Sequence, residues 1–184
     1  MVIVIDPQIA GISGDMILSS LVNLGADKNK IIEGIEKSQK FLSNSTIKKI
    51  DFQKIQKRGI ESTELILEID EKISERKGIE IKKAILDSVN ELNLPIKGKI
   101  FAESCINTLI SSESKIHGIS EDSVHFHEAS SIDTLVDIVG ITIALDDLKL
   151  FVYLFQLEVE LLVFHTALCQ ILQVQFFKFL KILI

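Results

Sequence analysis

Cysteine is scarce in this sequence: there are two, Cys105 and Cys169, with no CxxC pair. That excludes a disulfide framework and a cysteine zinc cage, and it fits a reducing cytoplasm. Positive charge is not in excess either. The net charge is -6, with acids and bases interspersed, so no basic field is present to condense on nucleic acid or an anionic membrane. The run Lys48, Lys49, Lys54, Lys57, Arg58 is too short to change this and reads as the solvated face of a strand. The opening "MVIVIDPQ" has no basic leader, long apolar stretch or cleavage site. It reads as a first strand rather than a secretion signal. The two prolines, Pro7 and Pro95, fall where elements stop. What remains is 184 residues at 47% hydrophobic content, enough for one full core and, on that reading, one domain.

Along the chain, "VIVI" at 2–5 is a buried-strand run ended by Asp6-Pro7. Ser13 is placed to cap a helix that has Asp15 in its first turn, apolar residues at 17, 18, 21, 22 and 24, and Gly25 as its stop. A second helix is predicted over 27–42, with Ile31, Ile32 and Ile35 inward. Period-two alternation at Ile50 and Phe52, then at Leu65, Leu67 and Ile69, predicts strands over 46–55 and 63–70, with Gly59 between them. Helical spacing returns at Ile81, Ala84, Ile85, Ser88, Val89 and Leu92, stops near Pro95, and resumes at Phe101, Cys105, Ile106, Leu109 and Ile110. Cys105 is therefore a packing residue. A turn at His117-Gly118, an extended histidine-rich stretch and a very apolar helix over 131–147 follow. The expected fold class is mixed α/β (α+β), a small mixed sheet covered by helices.

The chemistry concentrates in "SVHFHEASSIDTLVDIVG", residues 123–140. In extended chain His125 and His127 share one face while Phe126 packs on the other. Asp133 and Asp137, four apart, share a helix face. Two carboxylates on so apolar a helix need partners, because an unpaired buried charge is costly or is neutralised by a pKa shift. A cation would satisfy them. With Glu128, the imidazole and carboxylate donors suit nickel, zinc, manganese or iron, and spacing does not choose among these. A structural alternative stands beside this: Ser130 and Asp133 match a capping box, and single histidines in such places are commonly hydrogen-bonded core residues.

A second candidate is the loop "DPQIAGISGDM". Gly11 and Gly14, with Ser13 and Asp15, lead into a helix N-terminus whose amides suit an anion. The loop lacks the lysine and final Ser/Thr of a Walker loop, and a tight turn before a capped helix is the alternative reading. Asp6 and Asp15 oppose phosphate unless a divalent cation lies between, and they could themselves be cation ligands.

Together, "IDPQIAGISGDMILSSLVNLGAD" and "KIHGISEDSVHFHEASSIDTLVDIVGITIAL" resemble, in order and spacing, the N-terminal signature and central block of the LarC-type nickel-insertion proteins. The resemblance covers residues 1 to about 150. It implies a nickel chelatase (lyase) that inserts Ni(II) into a pyridinium bisthiocarboxylate mononucleotide, with CTP and Mg2+ or Mn2+ assisting in the full-length protein, to serve lactate racemase-like enzymes. The implied partners are that mononucleotide, the C-terminal half of the same family protein and, as an open option, further copies of the chain. Asp6, Gly11, Gly14, Asp15, His117, His125, His127, Glu128, Asp133 and Asp137 occupy family-motif positions. Their individual roles are our own inference: His125, His127 and Glu128 are assigned to metal, Asp133 and Asp137 to the same site or its support, and Gly11, Ser13, Gly14 and Asp15 to the cofactor-binding loop. One departure is "EIDEKISERKGIE", where many members carry a histidine-rich loop. Nickel storage there is not expected.

The second departure is the C-terminus. After Leu150, "FVYLFQLEVELLVFHTALCQILQVQFFKFLKILI" has no Gly, Pro, Asn, Asp or Ser and holds six of the ten Phe. The family would continue with a glycine cluster and an HGI(L/M)PxP element. Shifted codons across His165–Leu172 can spell HGIMP(N/D)P, and those across Leu157–Leu161 can spell Gly-Gly-Gly-Thr. Residues 151–184 are therefore read as an out-of-frame translation, from a broken gene or a programmed frameshift, appended to a domain over 1–150. A membrane anchor is the competing reading. Its longest weakly polar run, 161–177, contains His165, Thr166 and three glutamines, which argues against a span.

Overall fold

The computed structural model describes residues 11–126 and 131–152. The expected strand at 2–5, the capping residue Ser130 and the tail from residue 153 lie outside the described residues. Five helices and four strands are formed in the described part: α1 Gly14–Asn23, α2 Lys28–Ser38, β1 Ser45–Lys57, β2 Ile60–Glu71, β3 Arg76–Lys77, α3 Gly78–Glu91, α4 Ile96–His117, β4 His125–Phe126 and α5 Ser131–Asp147. The mixed α/β class is as expected. Among the described residues, however, the strands form two separate antiparallel ladders, β1–β2 and β3–β4, rather than one mixed sheet.

Helix α5 is the hub. Its apolar residues run right around the helix, and Ile132, Leu135, Val136, Val139, Ile141, Ile143 and Ala144 are all buried. A helix apolar on every side has to be surrounded, and α1, α2, α3 and α4 all pack on it. Gly140 makes one close approach possible, since a Cβ there would lie 2.8 Å from Leu18 and 3.1 Å from Ile35. Phe151, just past α5, closes the core edge-on against Phe101, with ring centroids 5.8 Å apart.

Helix ends follow local chemistry. After α1 the Gly25 N–H bonds the Val22 carbonyl and the Ala26 N–H bonds that of Leu21, with Gly25 at φ 113°, a Schellman stop. Asn93 plays the same part after α3, at φ 51°. The Asp27 side chain accepts from the Asn29 and Lys30 amides at the start of α2, and α4 ends on left-handed Gly118. The β1–β2 hairpin is longer than the predicted strands. It turns through Arg58 and Gly59, both at positive φ (52° and 82°), the signature of a type I′ turn. Ile50 and Phe52 are buried under it. The basic run of β1 is exposed and paired across to acids: Lys48–Asp70 at 3.3 Å, Lys49–Glu68 at 3.8 Å, Lys54–Glu61 at 3.4 Å and Lys57–Glu64 at 2.8 Å. It is a solvated, self-neutralised face. Cys105 packs at the edge of the core, as the helical spacing predicts. Among the described residues no helix is long and apolar enough to cross a membrane.

Candidate metal centre

The two stretches that the sequence presents separately meet at one place. Gly11 lies in the left-handed region at φ 73°, which a glycine adopts without strain, and the chain passes through extended Ser13 into α1. Ser13 stands at the N-cap, but its hydroxyl donates to the Asp15 carboxylate and makes no side-chain cap to the backbone. Asp15 is thereby tethered at the solvent-exposed mouth of the loop. On the other side, burial of the apolar faces of α5 fixes its rotation, and Asp133 and Asp137 lie half-buried in its first two turns. The start of α1 presses against Asp137 so closely that a Cβ on Gly14 would overlap its carboxyl group.

The electrostatics follow from that contact. Burial pushes the Asp137 carboxyl up to about 8, and the neighbouring acids Asp15 and then Asp133 push in the same direction. At neutral pH this group keeps its proton. A cation beside Asp137 would act in the opposite direction, favouring loss of that proton. The arrangement is unfavourable to a bare phosphate at the α1 N-terminus, because the protein's own carboxyl group already stands there. With a divalent cation between, that objection disappears.

The histidines are placed less completely. His125 pairs with Lys77 across the β3–β4 ladder and is half-buried, while Phe126 turns the other way into the core, 3.1 Å from where a Gly78 Cβ would sit. The alternation expected of this stretch is therefore present at 125 and 126. His127 and Glu128, like Asp6, lie outside the described residues. Among the described residues no group of three or more His, Cys, Asp or Glu side chains is arranged to hold a metal ion. His117 ends α4, exposed, 3.4 Å from Glu113 one turn earlier. Spacing alone does not reveal that Asp15 and Asp137 lie near enough to act on each other, because helical and strand periodicity relate only near neighbours.

Comparison with known proteins gives this geometry its context. The family model described as nickel insertion protein matches residues 3–160. The pyridinium-3,5-bisthiocarboxylic acid mononucleotide nickel insertion protein of Staphylococcus saprophyticus is 36% identical over 140 residues, covering 76% of this chain and 33% of that protein. Proteins of the same name from Staphylococcus epidermidis and Geobacillus kaustophilus are 40% identical over 139 residues and 35% over 147, covering 76% and 77% of this chain and 33% and 34% of theirs. The chain thus spans about a third of the length of the curated relatives it matches. No solved structure matches it. A family match over nearly the whole described structure, taking in both the glycine loop and the aspartate helix, places this chain in the nickel insertion protein family.

Proposed function

We propose that this chain is the N-terminal module of a nickel-insertion protein, which takes up Ni(II) as cargo and delivers it to a pyridinium bisthiocarboxylate mononucleotide. The observation that carries the reading is the seating of Asp137, its carboxyl pushed up, against Gly14 and near Asp15 at the start of α1, with Asp133 one turn before it on α5. These acids alone make no metal-holding group among the described residues, and the donors of the histidine segment complete the set. A carboxyl group binds a metal only after losing its proton, so nickel uptake releases that proton and relieves the repulsion among the three acids. His125, His127 and Glu128 supply the nitrogen and further oxygen donors that suit nickel. Asp15, at the exposed mouth, is the entry point.

In the full-length protein the activity is that of a nickel chelatase assisted by CTP with Mg2+ or Mn2+, and its nickel-pincer product serves lactate racemase-like enzymes. This chain spans about a third of such a protein. That shortness favours a second reading, in which the chain by itself is a non-catalytic nickel-binding subunit acting with a C-terminal partner. Residues 1–150 form the module, and 151–184 are an out-of-frame tail. Its place of work is the cytoplasm.

Calorimetric titration with Ni(II), followed by CTP-dependent nickel incorporation into the mononucleotide, tests these readings. Binding with turnover supports a complete enzyme, and binding without turnover supports the module. If the folded chain binds no divalent metal, both fail. Sequencing the gene from codon 145 past the stop tests the tail: a second frame encoding the glycine cluster and HGIMPxP is expected, and its absence would make the apolar tail a genuine terminus.

A further inference from the structure

Resting on the reading of Asp137 as a nickel ligand, we infer that Gly14 is a positioning residue for that carboxylate, and that it serves by lacking a side chain rather than by offering an amide to an anion. Four observations converge on this. A Cβ at Gly14 would overlap not only the Asp137 carboxyl oxygen but also its Cγ, and would come within 2.6 Å of its Cβ. The obstruction therefore reaches back to the root of the aspartate side chain, and rotating the carboxylate away would not relieve it. Secondly, Gly14 is the first residue of α1, in a position where its φ lies outside the left-handed region, unlike Gly11. Backbone freedom is thus not the reason for a glycine. Thirdly, the crossing is reciprocal, since one turn further along both helices Gly140 of α5 makes room for Leu18 of α1. Leu18 is fully buried there and Ile35 closes on the same glycine, so α1 has no slack with which to back away from Asp137. Lastly, the residue after Gly14 is Asp15, whose carboxylate is fixed by Ser13. The glycine that admits Asp137 also sets how near Asp15 comes to it.

A side chain at 14 would push Asp137 out of the site or force the two helices apart. Either way the separation of Asp15 from Asp137 would change, and a metal site tolerates little displacement of its ligands. The effect belongs with those of residues that orient ligands without touching the ion, which cost about 10–100-fold in metal affinity when altered.

The test is a double-mutant cycle on the full chain, read by calorimetric Ni(II) affinity with thermal unfolding alongside. D137N and G14A are each expected to weaken Ni(II) binding by about tenfold or more, and G14A/D137N no further than D137N alone, because each change takes the Asp137 carboxylate away from the ion. If the two losses multiply, or if G14A binds as the unmodified chain does, the positioning role is overturned while the site reading stands. If D137N itself binds Ni(II) unchanged, the site reading falls and takes the inference with it. Should G14A fail to fold, G14A/D137G decides instead. Removing the obstructed side chain is expected to restore folding, and a double variant that stays unfolded would overturn the inference.

Discussion

Asp137 carries the largest consequence of any single residue described. Its carboxyl is pushed up to about 8, by burial first and then by Asp15 and Asp133, whereas in the unfolded chain it would ionise near pH 4. Between about pH 4 and pH 8 the folded state therefore binds one proton more than the unfolded state. The contribution of Asp137 to the stability of the metal-free protein is most favourable on the acid side of that window and falls as pH rises through it. D137N removes the penalty: thermal melts without metal are expected to show the variant several degrees more stable at pH 8, with the difference vanishing toward pH 4. Nickel titration of the same variant should show the opposite, a loss of affinity. A variant equally stable at every pH would mean that Asp137 is not held as described. The identity of these acids was legible from a four-residue spacing on an apolar helix. Their crowding with Asp15 was not, because it depends on where two helices cross.

Among the elements, helix starts and the hairpin turn invite direct tests. Asp147 at the end of α5 accepts from the Asp27 amide at 2.9 Å and pairs with Lys30 at 3.1 Å, tying α5 to the first turn of α2. The Asp27 amide first, and Lys30 second, hold its carboxyl below the usual range. This contribution is present above the unfolded pKa and is lost as pH falls through the folded one. D147A is expected to cost about 1–2 kcal/mol at pH 7, and urea unfolding should show the difference shrinking below about pH 4. In the β1–β2 turn, Arg58 occupies a positive-φ position that asparagine fills with less strain. R58N is expected to stabilise by about 0.5 kcal/mol, and G59A to destabilise by about 1 kcal/mol, in the same assay. The strands themselves were predicted shorter than they are. Their ends, such as Ser45, Gln56 and Ile60, carry no clean alternation and are held by cross-strand pairing, which only the folded hairpin supplies.

At the scale of the whole molecule, the packing of four helices about α5 is what brings the glycine loop and the aspartate helix together. Gly140 is a point of close approach within it, and G140V is expected to cost about 1–3 kcal/mol or more by overpacking Leu18 and Ile35. Nickel affinity measured on the surviving folded fraction should fall as well, because the same crossing seats Asp137. The sequence by itself determined the helices, since periodicity, Asp27, Gly25 and Gly118 are local signals acting within a few residues. It also determined the solvated basic strand face, the packing role of Cys105 and the family, whose two motifs are contiguous in the chain. Only the tertiary structure decided that the glycine loop and the aspartate helix lie against each other, that burial pushes the Asp137 carboxyl up, and that Gly14 is where a side chain cannot go. Those are properties of distance and burial between segments remote in sequence, and burial of apolar surface, which drives them together, carries no pairwise signature that a linear pattern could record.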